Sequence, residues 1–184
     1  MENFENTDKK DFITFSKEAI GQIPLDIKFK KLDERAITPS YAHDGDVGMD
    51  MTAIDVEYDR EHDLYIYHTG LAFESPKHYG QFLFARSKNR KTDAYLCNSV
   101  GIADSAIYRG EILFCYKNRE SIHSFANMQA MNMFMGLIGT DKHSLTEIKQ
   151  YVQEIKEDIY KRAENLEFAP YKVGDRIGQM VFMP

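Results

Sequence analysis

Several residue types that mark particular protein classes are scarce in this sequence of 184 residues. Two cysteines are too few for the disulfide framework of a small secreted domain. With 11 glycines and 5 prolines, the chain is not a collagen-like or low-complexity polymer. Without a run of about 18 apolar residues, no transmembrane helix is predicted. These absences leave an ordinary globular chain, 43% hydrophobic, that is long enough to bury a core.

Basic residues are also too few to dominate the surface. The formal net charge of −6 argues against duplex nucleic acid as a partner, because proteins that bind it usually carry a basic face. Residues 1–12 are acidic and polar, whereas a signal peptide is basic and then apolar. We therefore expect a cytoplasmic protein with neither a nucleic-acid nor a membrane partner.

The two cysteines, Cys97 and Cys115, both lie in apolar, strand-like surroundings. This setting predicts buried free thiols, since an unpaired cysteine behaves as a small apolar residue. Together with scattered histidines, two cysteines do not form a structural zinc site.

The periodicity of apolar residues divides the chain, which we interpret as a single domain over residues 1–184. Residues 11–23 have the apolar spacing of a short helix, so a helical extension is predicted within 1–25. Short alternating apolar runs, separated by Gly, Pro and Asp, predict strands within 26–118 and 169–184. No long helix interrupts this part, which indicates a sandwich, a barrel or a jelly roll.

Residues 119–168 have a different pattern, which predicts an α-helical hairpin inserted between two strands. Residues 121–138 are rich in methionine and phenylalanine at helical spacing. Ser144 and Glu147 have the spacing of a capping box, which opens a second, amphipathic helix.

Four short segments carry most of the functional information, and they follow one another in a fixed order. They are Gly45-Asp46-Val47-Gly48-Met49-Asp50, then Thr69-Gly70 with Ala85-Arg86-Ser87, then Asn98 to Ile112, and finally Gly174-Asp175-Arg176-Ile177-Gly178-Gln179-Met180. Together they resemble motifs one to four of the trimeric dUTPase family, over about residues 26–118 and 170–184. The resemblance implies a mainly β fold, a distorted jelly-roll β-barrel, which assembles as a homotrimer with active sites between subunits.

The resemblance also implies an activity, the hydrolysis of dUTP to dUMP and pyrophosphate by attack of water at the α-phosphate. Asp104 resembles the family's base, because a carboxylate near the water can orient and deprotonate it. The alternative for Asp104 is a turn-capping role. Asp50 resembles the first-motif carboxylate, which lies near the sugar and the metal-bound water.

By the same resemblance, a hairpin that contains Asn98, Gly101 and Ile102 reads the uracil edge. A glycine at this point lets the backbone approach a ligand closely, and a narrow hairpin excludes the methyl group of thymine. Tyr108 resembles the aromatic residue that packs under the deoxyribose and excludes a 2′-hydroxyl. Its alternative is a core tyrosine.

The phosphates are expected to meet Arg86, Ser87 and Gln179. Lys88 either adds positive charge to this site or is a solvated side chain, and Asp175 and Arg176 either form structural ion pairs or meet the ligand. Mg²⁺ is the expected cofactor, held mainly by phosphate oxygens and water, because no protein-only metal cage is visible.

Three departures from the family pattern leave other functions open. Three residues separate Asp104 from Tyr108 where the family has two, Lys88 stands where the family has a small residue, and the sequence ends without the family's Gly-rich closing arm. A non-catalytic trimer with a binding or structural role is therefore one alternative. A dCTP deaminase-like enzyme, which shares the fold, is another. The inserted hairpin either reaches the phosphates or only decorates the trimer.

Overall fold

A computed structural model of the chain describes residues 13–15, 27–103, 108–140 and 142–184. Over these ranges the chain is mainly β, as predicted, and two α-helices follow the tenth strand. The strands are β1 (Ile13–Phe15), β2 (Ile27–Lys31), β3 (Met49–Thr52), β4 (Asp55–Asp59), β5 (Leu64–His68), β6 (Leu71–Glu74), β7 (Gly80–Ala85), β8 (Ala94–Leu96), β9 (Val100–Ala103), β10 (Leu113–Asn118) and β11 (Arg176–Met183). The helices are α1 (Ile122–Leu137) and α2 (Leu145–Glu164), and Ser87–Lys91 forms a 3-10 helix.

The strands form three antiparallel sheets, with the orders β1-β2-β6, β4-β5-β10-β8 and β3-β11-β7-β9. In the third sheet the last strand, β11, lies between β3 and β7. Gln179 on β11 is therefore paired with Asp50 on one side and with Phe84 on the other. This pairing brings the fourth sequence motif next to the first and the second.

The N-terminal helix predicted over residues 11–23 is wrong for residues 13–15. These residues form β1, which pairs with β2 in the register Ile13↔Phe29 to Phe15↔Ile27. β-branched and aromatic residues fit a strand well, and the free edge of β2 supplies hydrogen-bond partners that a sequence pattern does not reveal. The remainder of the predicted helix lies outside the described residues.

Three fully buried tyrosines hold the C-terminal part of the chain against the second sheet. Each donates its hydroxyl to a main-chain carbonyl: Tyr65 to Ala163 at 3.2 Å, Tyr67 to Tyr171 at 3.0 Å and Tyr116 to Ile177 at 2.7 Å. Burial raises the pKa of all three hydroxyls well above that of an ordinary tyrosine, so they stay neutral donors. These bonds attach α2, the segment after it and β11 to the strands.

The predicted helical hairpin and its capping box are both present. The Ser144 side chain accepts from the backbone N–H of Glu147, and the Glu147 side chain accepts from the backbone N–H of Ser144. Ile159 and Ala163 of α2 are buried in the main core, so the hairpin completes the core of the domain. The outer face of α1 exposes several methionines. Among the residues described, no helix has the length and apolar character needed to cross a bilayer.

Both cysteines are free thiols, as predicted, but each is half-buried and not fully buried. Cys97 on the β8–β9 connection donates its backbone N–H to the carbonyl of Cys115 on β10, at 2.9 Å. Burial raises the pKa of both thiols, so their reactive thiolate forms are suppressed near neutral pH.

Gly178 is the glycine on which the central strand β11 depends most. It pairs with Ala85 on β7, and a Cβ at this position would overlap the fully buried ring of Phe114. We therefore expect Gly178→Ala to lower the free energy of unfolding by about 2 kcal/mol, because overpacking displaces a ring that has no free space. Urea denaturation followed by circular dichroism measures this change.

The matched control is Gly136→Ala in α1, where an added Cβ would meet no atom within 4 Å. Alanine favours a helix more than glycine does, so this variant should be as stable as the wild type or more stable, by up to about 1 kcal/mol. Equal stability of Gly178→Ala and the wild type would contradict the packing described for β11.

Candidate functional site

Asp50 on β3 is the centre of a buried charged cluster, which we call the Asp50 cluster. Its side chain is only 1% exposed, and both carboxylate oxygens accept hydrogen bonds. Arg86 donates through Nε at 2.8 Å and through Nη2 at 3.2 Å, Arg176 donates through Nη1 at 2.8 Å, and Gln179 donates through Nε2 at 3.2 Å. The fold thus brings together residues from the first, second and fourth motifs.

The geometry of the cluster favours a positioning role for Asp50. The buried carboxylate fixes the guanidinium plane of Arg86, because the charge-assisted bonds to Arg86 are bidentate, and it holds Arg176 through one further bond. Arg86 is 16% exposed and Arg176 is 53% exposed, so both retain N–H groups for a ligand. A direct contact of Asp50 with the sugar or a metal-bound water stays a prediction.

The local backbone explains how the cluster is assembled. Gly48 leaves room for Gln179, since a Cβ at position 48 would lie 3.2 Å from the Cβ of Gln179. Arg176 forms the ion pair with Asp50, which was one of its two predicted roles. Asp175 instead accepts from the backbone N–H of Lys172 at 2.8 Å, in the turn before β11.

Ser87 and Lys88, the other two residues predicted to meet phosphates, begin the 3-10 helix after Arg86. Both are exposed, as are Arg90 and Lys91 in the same helix. Asn89 points inward and donates to the carbonyl of Ala94 at 3.1 Å, which orients its basic neighbours toward solvent. The basic groups of this helix are therefore available to a ligand, and the phosphate contacts of Ser87 and Lys88 stay predictions.

A second group of predicted residues lines a cavity of about 470 Å³ beside β9, which we call the β9 cavity. Four of its lining residues were predicted to bind the nucleoside. The lining consists of Leu83, Asn98, Gly101, Ile102, Ala103, Tyr108, Glu111, Ile112 and Leu113. Apolar walls with a few polar groups are typical of a small-molecule site.

Gly101 and Asn98 lie against each other where the chain turns from β8 into β9. The predicted hairpin does not form as a pair of strands, because β8 pairs with β10 and β9 pairs with β7, in two different sheets. A Cβ at Gly101 would lie 3.1 Å from the side-chain nitrogen of Asn98 and 3.0 Å from the Cβ of Leu83. Ser99, at the turn between β8 and β9, has a φ of 58°, a left-handed conformation that lets the chain reverse within a few residues. The glycine therefore leaves the exposed Asn98 amide free to face the cavity mouth.

Tyr108 forms part of the cavity wall and is not a core tyrosine, since 41% of its surface is exposed. Its hydroxyl donates to the carbonyl of Glu111 at 2.6 Å, and its ring lies across Gly110, where a Cβ would be 2.8 Å from the phenol oxygen. Asp104, the predicted base, lies outside the described residues. Its described neighbours Ala103 and Tyr108 both line the β9 cavity.

Glu111 is a lining residue to which the sequence analysis assigned no role, although it belongs to the third motif. Its carboxylate accepts from the backbone N–H of Gly70 at 2.7 Å and lies 3.0 Å from Nδ1 of His68. Thr69 strengthens the same junction by donating to the carbonyl of Ile112 at 2.7 Å. The sequence signal for this role of Glu111, which joins Gly70 and His68, was its place after Gly110 in the third motif.

Asp50 and the β9 cavity lie on the two edge strands of one sheet, β3 and β9, and the two sites approach each other at β7, which carries Leu83 of the cavity and is followed by Arg86. Asp50, Gln179, Phe84 and Val100 occupy one row across β3, β11, β7 and β9. Three strand spacings put the ends of this row about 14 Å apart. Within the described part of the chain, no three His, Cys, Asp or Glu side chains are grouped so that they could hold a metal ion.

Curated proteins with related sequences carry one name. Over an aligned stretch of 89 residues, the chain is 38% identical to the deoxyuridine 5′-triphosphate nucleotidohydrolase of Trichodesmium erythraeum. This stretch covers 48% of this chain and 62% of that protein. The enzyme of the same name from Alkaliphilus metalliredigens is 35% identical over 61% of its length. The chain thus spans less than two thirds of these two relatives. No family model matches the sequence.

Solved structures with a similar fold include phage dUTPases. The dUTPase from phage phi11 of S. aureus has a TM-score of 0.52 and 19% identity, over 86% of this chain and 89% of that one. A dUTPase of Staphylococcus bacteriophage 80alpha, solved with dUpNHpp, has the same TM-score at 17% identity. The deoxyuridine 5′-triphosphate nucleotidohydrolase of Desulfitobacterium hafniense is 38% identical to this chain over 106 residues, which cover 70% of that protein. With this match, the order of the four motifs and the fold, the chain belongs to the dUTPase family.

Proposed function

We propose that the protein hydrolyses dUTP to dUMP and pyrophosphate. The observation that carries this proposal is the β9 cavity, in which the Asn98 amide, Gly101 and Tyr108 of the third motif surround one space. The amide of Asn98 supplies both a donor and an acceptor for the uracil edge. The ring of Tyr108 supplies an apolar face for the deoxyribose.

The phosphates are proposed to meet the Asp50 cluster and the basic 3-10 helix. Arg86 and Gln179 are held by Asp50, so they are preorganised to donate to phosphate oxygens as negative charge develops there. Asp104 is proposed to hold the attacking water and take its proton.

Mg²⁺ is proposed as the cofactor, and a relative supports a metal in this family, since a phi11 dUTPase mutant was described with a structural Mg(II) ion. The described residues of this chain offer no cage of three acidic or histidine ligands, and the Asp50 oxygens already accept hydrogen bonds. This donor set fits a metal that arrives with the triphosphate. Bound there, the ion neutralises charge on the phosphate oxygens.

We further propose a homotrimer in the cytoplasm, with each site shared between two subunits. The separation of Asp50 from β9 supports this, because the carboxylate that organises the phosphate half and the strand that lines the nucleoside half are at opposite edges of one sheet. A neighbouring subunit brings one half to the other when the assembly has cyclic symmetry.

The test is pyrophosphate release with Mg²⁺ from dUTP, dTTP, dCTP and UTP. We expect dUTP to be turned over fastest, since the tight turn before Gly101 is proposed to exclude a base methyl and the Tyr108 ring a 2′-hydroxyl. A folded oligomer that releases no pyrophosphate from dUTP would favour the non-catalytic alternative. Ammonia release from dCTP would favour the deaminase.

A further inference from the structure

We propose that His68 and Glu111 are positioning residues, which hold the Tyr108 wall of the β9 cavity in place. The contacts run from one residue to the next without a gap. The imidazole of His68 lies 3.0 Å from Glu111 Oε2, Oε1 of Glu111 accepts from Gly70, and the Glu111 carbonyl accepts from the Tyr108 hydroxyl at 2.6 Å.

Glu111 can transmit a change because it borders two cavities. One is the β9 cavity, which Tyr108 also lines. The other, of about 310 Å³, is lined by Glu111 together with His68 and Gly70. A shift of the Glu111 backbone at this junction therefore moves the acceptor of the Tyr108 hydroxyl.

The charges around His68 favour its protonated form. Besides Glu111, the groups that face it are Asp55, directly opposite on β4, Glu57 on the same strand with Oε1 at 3.7 Å, and Asp33 and Arg35 from the segment after β2. The nearest residue on β10, Leu113, is apolar. Four carboxylates therefore oppose one guanidinium around the imidazole.

Burial lowers the pKa of His68, but the hydrogen bond and charge of Glu111, together with the charge of Glu57, raise it by more, and the net direction is upward. A raised pKa means that the contribution of the charged pair is complete at low pH. It is lost as the pH rises past the ordinary histidine pKa of about 6.5 and through the raised value. A carboxylate only accepts, so Nδ1 of His68 carries a proton in both states and the neutral bond is the weaker one.

The expected consequence is a nucleoside site that holds its ligand less tightly at alkaline pH. If Tyr108 is one wall of the site, loosening its acceptor raises KM and leaves kcat unchanged, because no reacting atom is touched. We expect KM for dUTP to rise about threefold across the titration of His68. This is less than the full difference between a charged and a neutral hydrogen bond, because only part of the change at His68 reaches Tyr108. This part rests on the proposed function, whereas the coupling of His68 to Tyr108 does not.

The test uses the full-length protein labelled with ¹³Cζ-tyrosine, with the Tyr108 resonance assigned from Tyr108→Phe. In the wild type the Tyr108 shift should follow the titration of His68. In His68→Asn, whose amide can still donate to Glu111 but does not titrate, the shift should be flat. The control is His62→Asn: His62 pairs with Asp59 at 2.8 Å in an exposed turn and borders neither cavity, so this variant should behave like the wild type.

The same variants are then assayed for the pH dependence of KM and kcat. The rise in KM should disappear in His68→Asn, with kcat unchanged, and persist in His62→Asn. A Tyr108 resonance that does not follow His68, or a KM profile that is the same in His68→Asn and the wild type, would overturn the proposal. If wild-type protein does not turn over dUTP, the proposed function fails, and the tyrosine spectra alone decide whether His68 positions Tyr108.

Discussion

Asp50→Asn should reduce both stability and turnover, the free energy of unfolding by about 3 kcal/mol and pyrophosphate release by about 10²-fold. The substitution leaves the volume of the side chain unchanged but removes its charge. It also turns an amide N–H group toward the guanidinium groups of Arg86 and Arg176, which are donors themselves. The mostly buried Arg86 is then without its charge partner, and the loss of a fixed guanidinium plane lowers the rate.

Asp33→Asn is the matched control, because both carboxylate oxygens of Asp33 also accept from a guanidinium, that of Arg35. That pair is exposed, so solvent replaces the lost interaction and neither stability nor turnover should change measurably. Thermal unfolding and steady-state kinetics, measured on Asp50→Asn and Asp33→Asn, distinguish the loss of a buried charge from the loss of an exposed one. Wild-type stability in Asp50→Asn would mean that the carboxylate does not hold the cluster together.

Asp104→Asn should reduce pyrophosphate release from dUTP by about 10³-fold and leave the fold unchanged, since loss of a general base costs on the order of 10²- to 10⁴-fold. Asp104 directly follows Ala103, the last residue of β9, which lines the β9 cavity. The proposed base therefore directly follows a strand that lines the cavity proposed for the nucleoside. Asp93→Asn removes the same charge from a side chain that is 83% exposed, and its activity should equal that of the wild type.

Asp104→Asn, combined with a second variant, also tests whether the site is shared between subunits. Arg86→Gln removes a group from the phosphate half, and Asp50 keeps Arg176 and Gln179 as partners, so the fold should persist. In oligomers that contain both Arg86→Gln and Asp104→Asn subunits, purified through two different tags, a site between subunits can receive two intact halves. In a cyclic trimer that contains both kinds of subunit, about one site in three receives two intact halves.

The recovered activity decides between two arrangements of the site. Mixed oligomers that release pyrophosphate clearly faster than either parent support sites between subunits. Mixed oligomers that stay as inactive as their parents would mean that one chain contributes both halves, contrary to the proposed arrangement.

An Asp104→Asn variant that keeps wild-type turnover would remove Asp104 from the mechanism and leave its turn-capping alternative.

Much of the fold could be predicted from the sequence because the relevant signals are local. The two-residue alternation in Leu64-Tyr65-Ile66-Tyr67 matches the alternating burial of β5. The capping box of Ser144 and Glu147 is likewise formed by residues three positions apart. The prediction of a helix near residue 13 was wrong because the deciding signal is not local. β1 is a strand because it pairs with β2, which lies more than ten residues further along the chain.

In the candidate site too, the features that local sequence could predict differ from those that depend on contacts between distant residues. The sequence by itself determined which residues belong to the family motifs, that the chain is mainly β with a helical insertion, and that Asn98, Gly101 and Tyr108 come near one another. Only the tertiary structure decided that Asp50 is buried beneath Arg86 and Arg176. It also decided that His68 touches Glu111 and that β3, which carries Asp50, and β9 are the opposite edges of one sheet. These facts depend on strand order, and the Asp50–Arg176 bond joins residues 126 positions apart. No local pattern encodes such a contact, because it forms only when β11 enters the sheet between β3 and β7.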